Sequence, residues 1–171
     1  MINTTKKTFI TTYGLYETTD GSTLGAKLGT TSEEGVTVEF DLGDFEVPNG
    51  EDASIMEIVK RLKYAVINIG FMEFDTKALK KALPHLVEVS AGKRYGMKGG
   101  AVRLSEHTFS AVLVPIDYPE DKEKYIYLPK VVNAGNPSFE FGLETITTID
   151  LELKTFKDES GYHLYFGSEG V

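Results

Sequence analysis

Three histidines, His85, His107 and His163, are the side chains of this sequence best suited to proton transfer or metal binding near neutral pH. Zinc sites draw their ligands from short, fixed spacings, and no two of these histidines are so spaced. Glu88 follows His85 by three residues and Glu159 precedes His163 by four. Those spacings bring side chains together only on a helix, and both segments read as strand or turn. The carboxylate pairs Glu33–Glu34 and Glu51–Asp52 would need an apolar pocket to push one pKa upward, yet both sit in polar loop sequence. The stretch SAGKRYGMKGG, Ser90 to Gly100, is basic and glycine-rich. It lacks the upstream glycine and the Ser/Thr of a phosphate-binding loop. There is no G-x-S-x-G elbow and no nucleotide fingerprint. With no cysteine present, disulfides, thiolate metal sites and a cysteine nucleophile are excluded. The expectation is therefore no catalytic residue, no cofactor and no metal: a protein that is not an enzyme and works through its surfaces.

Composition sets the frame for those surfaces. A chain of 171 residues reads as one domain, 1–171, long enough to bury a real core. The net charge of -8 argues against a general nucleic-acid binder, which would show a basic face. No window nears the ~20 apolar residues of a membrane span, so no membrane insertion is expected. The start, MINTTKKTFITTYG, has two lysines with no apolar run behind them and does not read as a secretory signal. Made and folded in a cytoplasm is the default.

The elements follow from periodicity. Residues 1–8 read as a flexible N-terminal arm, and Phe9 to Leu15 alternate as a first strand. Residues 18–35, rich in Gly, Ser and Thr and containing Asp20-Gly21, read as a long flexible loop. From Gly35 to Val47, Val36, Val38, Phe40 and Leu42 face one way and Thr37, Glu39 and Asp41 the other. No lysine or arginine occurs between Thr31 and Val59. Ile55, Ile58, Val59 and Leu62 suit a helix, whereas YAVINIGFMEF after Lys63 reads as a buried strand. FDTKALKKALP predicts one short α-helix near 75–83, with Asp75 as N-cap, Leu79 and Leu83 on the apolar face and Pro84 as stop. Further strands are expected near Leu86–Val89, over Ala101–Pro115, over Lys124–Asn133 with Pro129 marking an edge or bulge, over Ser138–Phe156, and over Tyr162–Phe166. Ser138–Phe156 alternates Phe139, Phe141, Leu143, Ile149, Leu151 and Leu153 against Glu140, Glu144, Asp150, Glu152 and Lys154. The expected fold is mainly β: two packed antiparallel sheets, a β-sandwich or partly closed barrel, flanked by that helix.

The order of segments resembles a phage or prophage major tail tube protein over roughly residues 36 to 167. An apolar strand, YAVINIGFMEF, feeds the helix DTKALKKALP. A glycine-rich loop, a strand ending AVLVP, an acidic turn, KYIYLPKVVNAGNPSFEF and the long strand ETITTIDLELKTF follow. Type VI secretion and contractile-injection tube proteins share that architecture. The resemblance implies a structural subunit of a viral tail tube that self-assembles into stacked hexameric rings whose sheets join across neighbours. The stack is the conduit for DNA delivery, and DNA passes without specific binding. It implies partners among the initiator, terminator and tape-measure proteins, and a place in the virion tail after assembly in the host cytoplasm. Candidate lumen-facing acidic residues are Glu39, Asp41, Glu144, Asp150 and Glu152, where like charge would keep DNA from sticking. Candidate inter-ring contacts are Asp20, Leu24, Lys27 and Leu28, within the bridging segments Ile2–Thr8 and Thr18–Gly35. The other reading of the residues is a monomeric β-sandwich binding module for a carbohydrate or protein ligand, against which the absence of Trp counts.

Overall fold

A computed structural model describes residues 12–48, 55–74, 80, 83–91, 94–136 and 149–167. The strands are β1 (Tyr13–Glu17), β2 (Lys27–Pro48), β3 (Ile55–Phe74), β4 (Leu86–Ser90), β5 (Arg94–Met97), β6 (Phe109–Pro115), β7 (Ile126–Asn133), β8 (Ile149–Thr155) and β9 (Tyr165–Phe166). The mainly-β, antiparallel expectation holds. In place of two packed sheets, however, a single sheet runs β6-β1-β2-β3-β8-β7 and closes on itself through β6–β7 pairing. Closure removes the edges that six strands would otherwise leave open. β9 adds to one side of β7, and β4 with β5 forms a separate two-stranded sheet.

The barrel interior is built by alternation. On β3, Ala65, Ile67, Ile69 and Phe71 point inward; on β8, Ile149, Leu151 and Leu153 do the same. Register sets them face to face as Ile67–Leu153, Ile69–Leu151 and Phe71–Ile149, the cross-strand contact that stabilises a sheet most directly. Leu15, Leu28, Leu113, Leu128 and Val131 complete the core. Burying each such side chain contributes about 1.5–3 kcal/mol before chain entropy is set against it. Ala111 through Pro115 of β6 are buried on both faces, because Val112 and Val114 pack on Tyr125 and Tyr16 outside the barrel. Pro129 lies between the stretch of β7 paired with β9 and the stretch paired with β8, opposite a register shift in β6. A residue without an amide proton fits such a junction.

Several expectations are corrected. The one short α-helix near 75–83 is not borne out: the helical elements described are two 3₁₀ turns, Leu104–Glu106 and Lys122–Lys124. Of 75–83 only Lys80, in helical conformation, and the buried Leu83 are described. The segment from Ile55 to Leu62 is strand, paired with Leu42–Pro48; its helical spacing lost to the partner strand. The flexible loop expected over 18–35 shrinks to Thr18–Ala26, because β2 begins at Lys27. Residues 32–35 bulge out of β2, since Thr31 faces Phe71 and Val36 faces Ile69. Within the basic Ser90–Gly100 loop, Arg94–Met97 is strand β5. The 1–8 arm, and 137–148 of the expected long strand, lie outside the described residues.

One polar tie inside the wall is unusual. Beyond the last β3–β8 pair, the Thr155 hydroxyl accepts from the Ala65 amide at 2.8 Å and donates to the Ala65 carbonyl at 3.2 Å. His163 Nδ1 lies 3.1 Å from the same hydroxyl. The buried Nε2 of the same ring has no partner among the described residues. Burial, and then the nearby Lys157 charge, hold the His163 pKa below its ordinary value of 6.5. The unfolded chain therefore takes up this proton first as pH falls.

Two outcomes follow from the core and this tie. Leu153→Ala, at a fully buried position, is expected to cost about 2–5 kcal/mol in denaturant unfolding. Stability is expected to be flat in His163 protonation above pH 6.5 and to decline below it. His163→Phe should flatten the decline between about pH 7 and 5; an unchanged slope in the variant would remove His163 as its source.

Candidate functional site

The outer face of β2, β3 and β8 gathers four of the five acidic residues singled out in the sequence. Because Ile67, Ile69, Leu151 and Leu153 point inward, their sequence neighbours point out. Register places Thr37, Asn68 and Glu152 in one row, Glu39, Val66 and Lys154 in the next, and Asp41 beside Tyr64, with Asp150 beside Gly70. Glu39, Asp150 and Glu152 are exposed and Asp41 half-buried. Glu144 lies outside the described residues. Two cations sit within this acidic field. Lys154 Nζ is 3.5 Å from the centre of the Tyr64 ring, and Lys63 Nζ is 3.9 Å from Asp41. A hydrogen bond to Asp41 raises the Tyr64 pKa. At the top of the patch a polar recess of about 420 Å³ is lined by Ser32, Thr37, Asn68, Asp150 and Glu152. Asn133 Oδ1 accepts from the amides of Gly135 and Glu152, both at 3.3 Å, which fixes the recess wall.

The candidate contact residues divide. Asp20, Leu24 and Lys27 are exposed. Leu28 is only 4% exposed and belongs to the barrel core, so as a contact residue it is corrected: alternation along β2 turns it inward. Asp20 is a structural acceptor. Its Oδ1 takes the Ser22 and Thr23 amides at 2.8 and 2.7 Å, and its Oδ2 takes the Thr23 hydroxyl at 2.8 Å. Those bonds, the Thr23 amide foremost, hold its pKa well below the usual carboxylate range. Gly21 follows at φ 78°, its amide bonded to Thr18 Oγ1 at 2.9 Å. It lies against the Tyr127 ring, where a Cβ would come within 2.6 Å of Cγ.

The third feature was not legible as a site. β3 has β8 as its second neighbour only over Val66–Phe71, and β1 covers β2 only from Lys27 to Thr30. Among the described residues, Asp41–Pro48 and Ile55–Tyr64 pair only with each other and leave the barrel as a two-stranded arm. Phe40 and Leu42 continue the inward row of Val36 and Val38, but outside the barrel they stand in solvent: Phe40 is 46% exposed, Leu42 49% and, on the facing strand, Ile58 56%. The alternation of Gly35–Val47 showed the apolar row, but not that it outruns the barrel.

Among the described residues, no group of three His, Cys, Asp or Glu side chains could hold a metal ion. No family model matches the chain, and no curated protein matches its sequence.

The tight turn makes a direct comparison. Gly21→Ala combines left-handed backbone with a ring clash, whereas Gly35, at φ 79°, has open space around it. Gly21→Ala is expected to destabilise by about 2–4 kcal/mol and Gly35→Ala by about 1 kcal/mol, read from denaturant midpoints. Equal losses would show that Tyr127 yields.

Proposed function

We propose that this chain is a structural subunit of a viral tail tube, self-assembling into stacked hexameric rings that form the conduit for DNA delivery. The observation that carries the reading is the two-stranded arm. A two-stranded ribbon is marginal by itself in water. This one extends roughly 30 Å, from about nine residues at 3.3 Å each. Over the described residues both of its outer edges lack a partner strand, and one face carries Phe40, Leu42 and Ile58 in solvent. That face also carries Asp44, Glu46 and Lys60; free edges and exposed apolar side chains are completed together by neighbouring strands, and a head-to-tail contact between identical copies closes into a ring where the rotation permits. The acidic patch of Glu39, Asp41, Asp150 and Glu152 supports a surface past which DNA moves without sticking, with Lys63 and Lys154 moderating repulsion between copies. Asp20 and Leu24, on the turn that precedes β2, and Lys27, which opens β2, are the proposed inter-ring contacts. Initiator, terminator and tape-measure proteins are the proposed partners, in the virion tail after assembly in the host cytoplasm.

Negative-stain electron microscopy over a concentration series tests this. Rings or hollow tubes are expected. Leu42→Asp combined with Ile58→Asp should abolish them while leaving the barrel's Tm within a few degrees of wild type. A wild type that stays monomeric throughout, with sedimentation unaffected by the double variant, would favour the monomeric binding module instead.

A further inference from the structure

On the opposite side of the barrel wall from its core, four separated segments close around an open cavity of about 540 Å³, lined by Asp20, Gly21, Tyr127, Asp158, Tyr165 and Phe166. We propose that this cavity binds a soft organic cation, a guanidinium or alkylammonium group, held by the charge of Asp20 and Asp158 and by the open face of Phe166, against a wall made by the stacked Tyr127 and Tyr165 rings. The site shares Asp20 with the proposed inter-ring contacts, but the cation reading does not depend on ring assembly.

Its rings are pre-positioned. Tyr127 and Tyr165 stack with centroids 5.6 Å apart and planes 21° from parallel. Tyr162 tilts against Tyr165 at 5.2 Å. The Tyr165 hydroxyl donates to Asp158 Oδ2 at 2.5 Å, and the Tyr162 amide donates to Asp158 Oδ1 at 2.8 Å. Phe166, 67% exposed, stands at the rim. Little ordering remains to be done on binding, which is where affinity in small sites is usually lost.

Charge selects the ligand class. Both carboxylates stay ionised near neutral pH: Asp158 is held low chiefly by the Tyr165 hydroxyl, and Asp20 by its turn amides. The same bond pushes the Tyr165 phenol up to about 12, so the ring stays neutral. Among the described residues the lining holds two negative charges and no positive side chain, which repels an anion. Each carboxylate oxygen already accepts a bond, from its own turn or, for Asp158 Oδ2, from the Tyr165 hydroxyl on β9. What the pair offers the cavity is field more than direction. A sugar needs directed acceptors for its hydroxyls; a diffuse cation needs field and an aromatic surface.

The test uses the full-length protein and NMR of its aromatic side chains. Titration with arginine amide and with tetramethylammonium is expected to move the Tyr127, Tyr165 and Phe166 ring signals. Saturation should fall at a dissociation constant on the order of millimolar, weakening as salt is raised. Asp158→Asn should weaken binding about tenfold, and Phe166→Ala, at an exposed position that leaves the fold intact, about threefold. Competition by arginine amide against self-association in sedimentation velocity assigns the group to a side chain of a second copy. Binding that leaves association unchanged assigns it to a free cation. Ring signals that ignore both cations, or that respond to methyl glucoside instead, overturn the proposal.

Discussion

β3 is paired on both sides for part of its length and on one side for the rest, and most of the molecule's behaviour descends from that. Where β2 and β8 flank it, every second side chain enters a closed interior, and Ile67, Ile69 and Phe71 meet Leu153, Leu151 and Ile149 across the register. Where β8 stops, the Thr155 hydroxyl supplies one more rung to Ala65, and among the described residues β3 continues with β2 alone. The interior supplies the stability. The continuation leaves strand edges and an apolar row that the barrel itself cannot satisfy. A single strand thus connects the self-sufficient part of the fold with the part that is incomplete.

Charge is distributed to suit that division. Glu39, Asp41, Asp150 and Glu152 stand on the outer wall, away from the core, in rows that also contain Lys154 and Asn68. Cation–aromatic contact with Tyr64 and a long ion pair at Asp41 temper the field without neutralising it; exposed pairs of this kind contribute little to stability. The aromatic cavity is the opposite case. Its carboxylates are committed to holding turns and a tyrosine in place, so they present their charge at fixed positions.

Alternation in the sequence was enough to read the barrel walls. Ile149, Leu151 and Leu153 against Asp150 and Glu152 could be assigned to faces unaided, as could Val36 and Val38 against Thr37 and Glu39. Three things were hidden. Ile55, Ile58, Val59 and Leu62 satisfy a helical spacing as well as a strand, and only pairing with Leu42–Pro48 decides it. Thr18–Gly35 has the composition of a loop throughout, yet Leu28 on an inward row makes its second half a strand. Closure itself depends on β6 meeting β1 as well as β7; β7 follows β6 across one turn, but no local pattern reports the pairing with β1, far back in the chain. The aromatic cavity was unreadable for the same reason, since Asp20, Tyr127 and Tyr165 carry no mark in sequence that they converge.

The junction between barrel and arm has one more property. Asp41 faces Tyr64 and Leu42 faces Leu62, so Lys63 is an extra residue on β3, its stem lying over Gly43, which offers no side chain in the way. A bulge of this kind bends and twists its strand locally. Lys63 is exposed and fills no space in the core. The direction in which the arm departs is therefore governed by a residue on which the barrel does not rely. Body and limb can drift apart in evolution on separate terms: the reach and angle of one can be retuned by changing a single surface position, while the packing of the other is inherited intact.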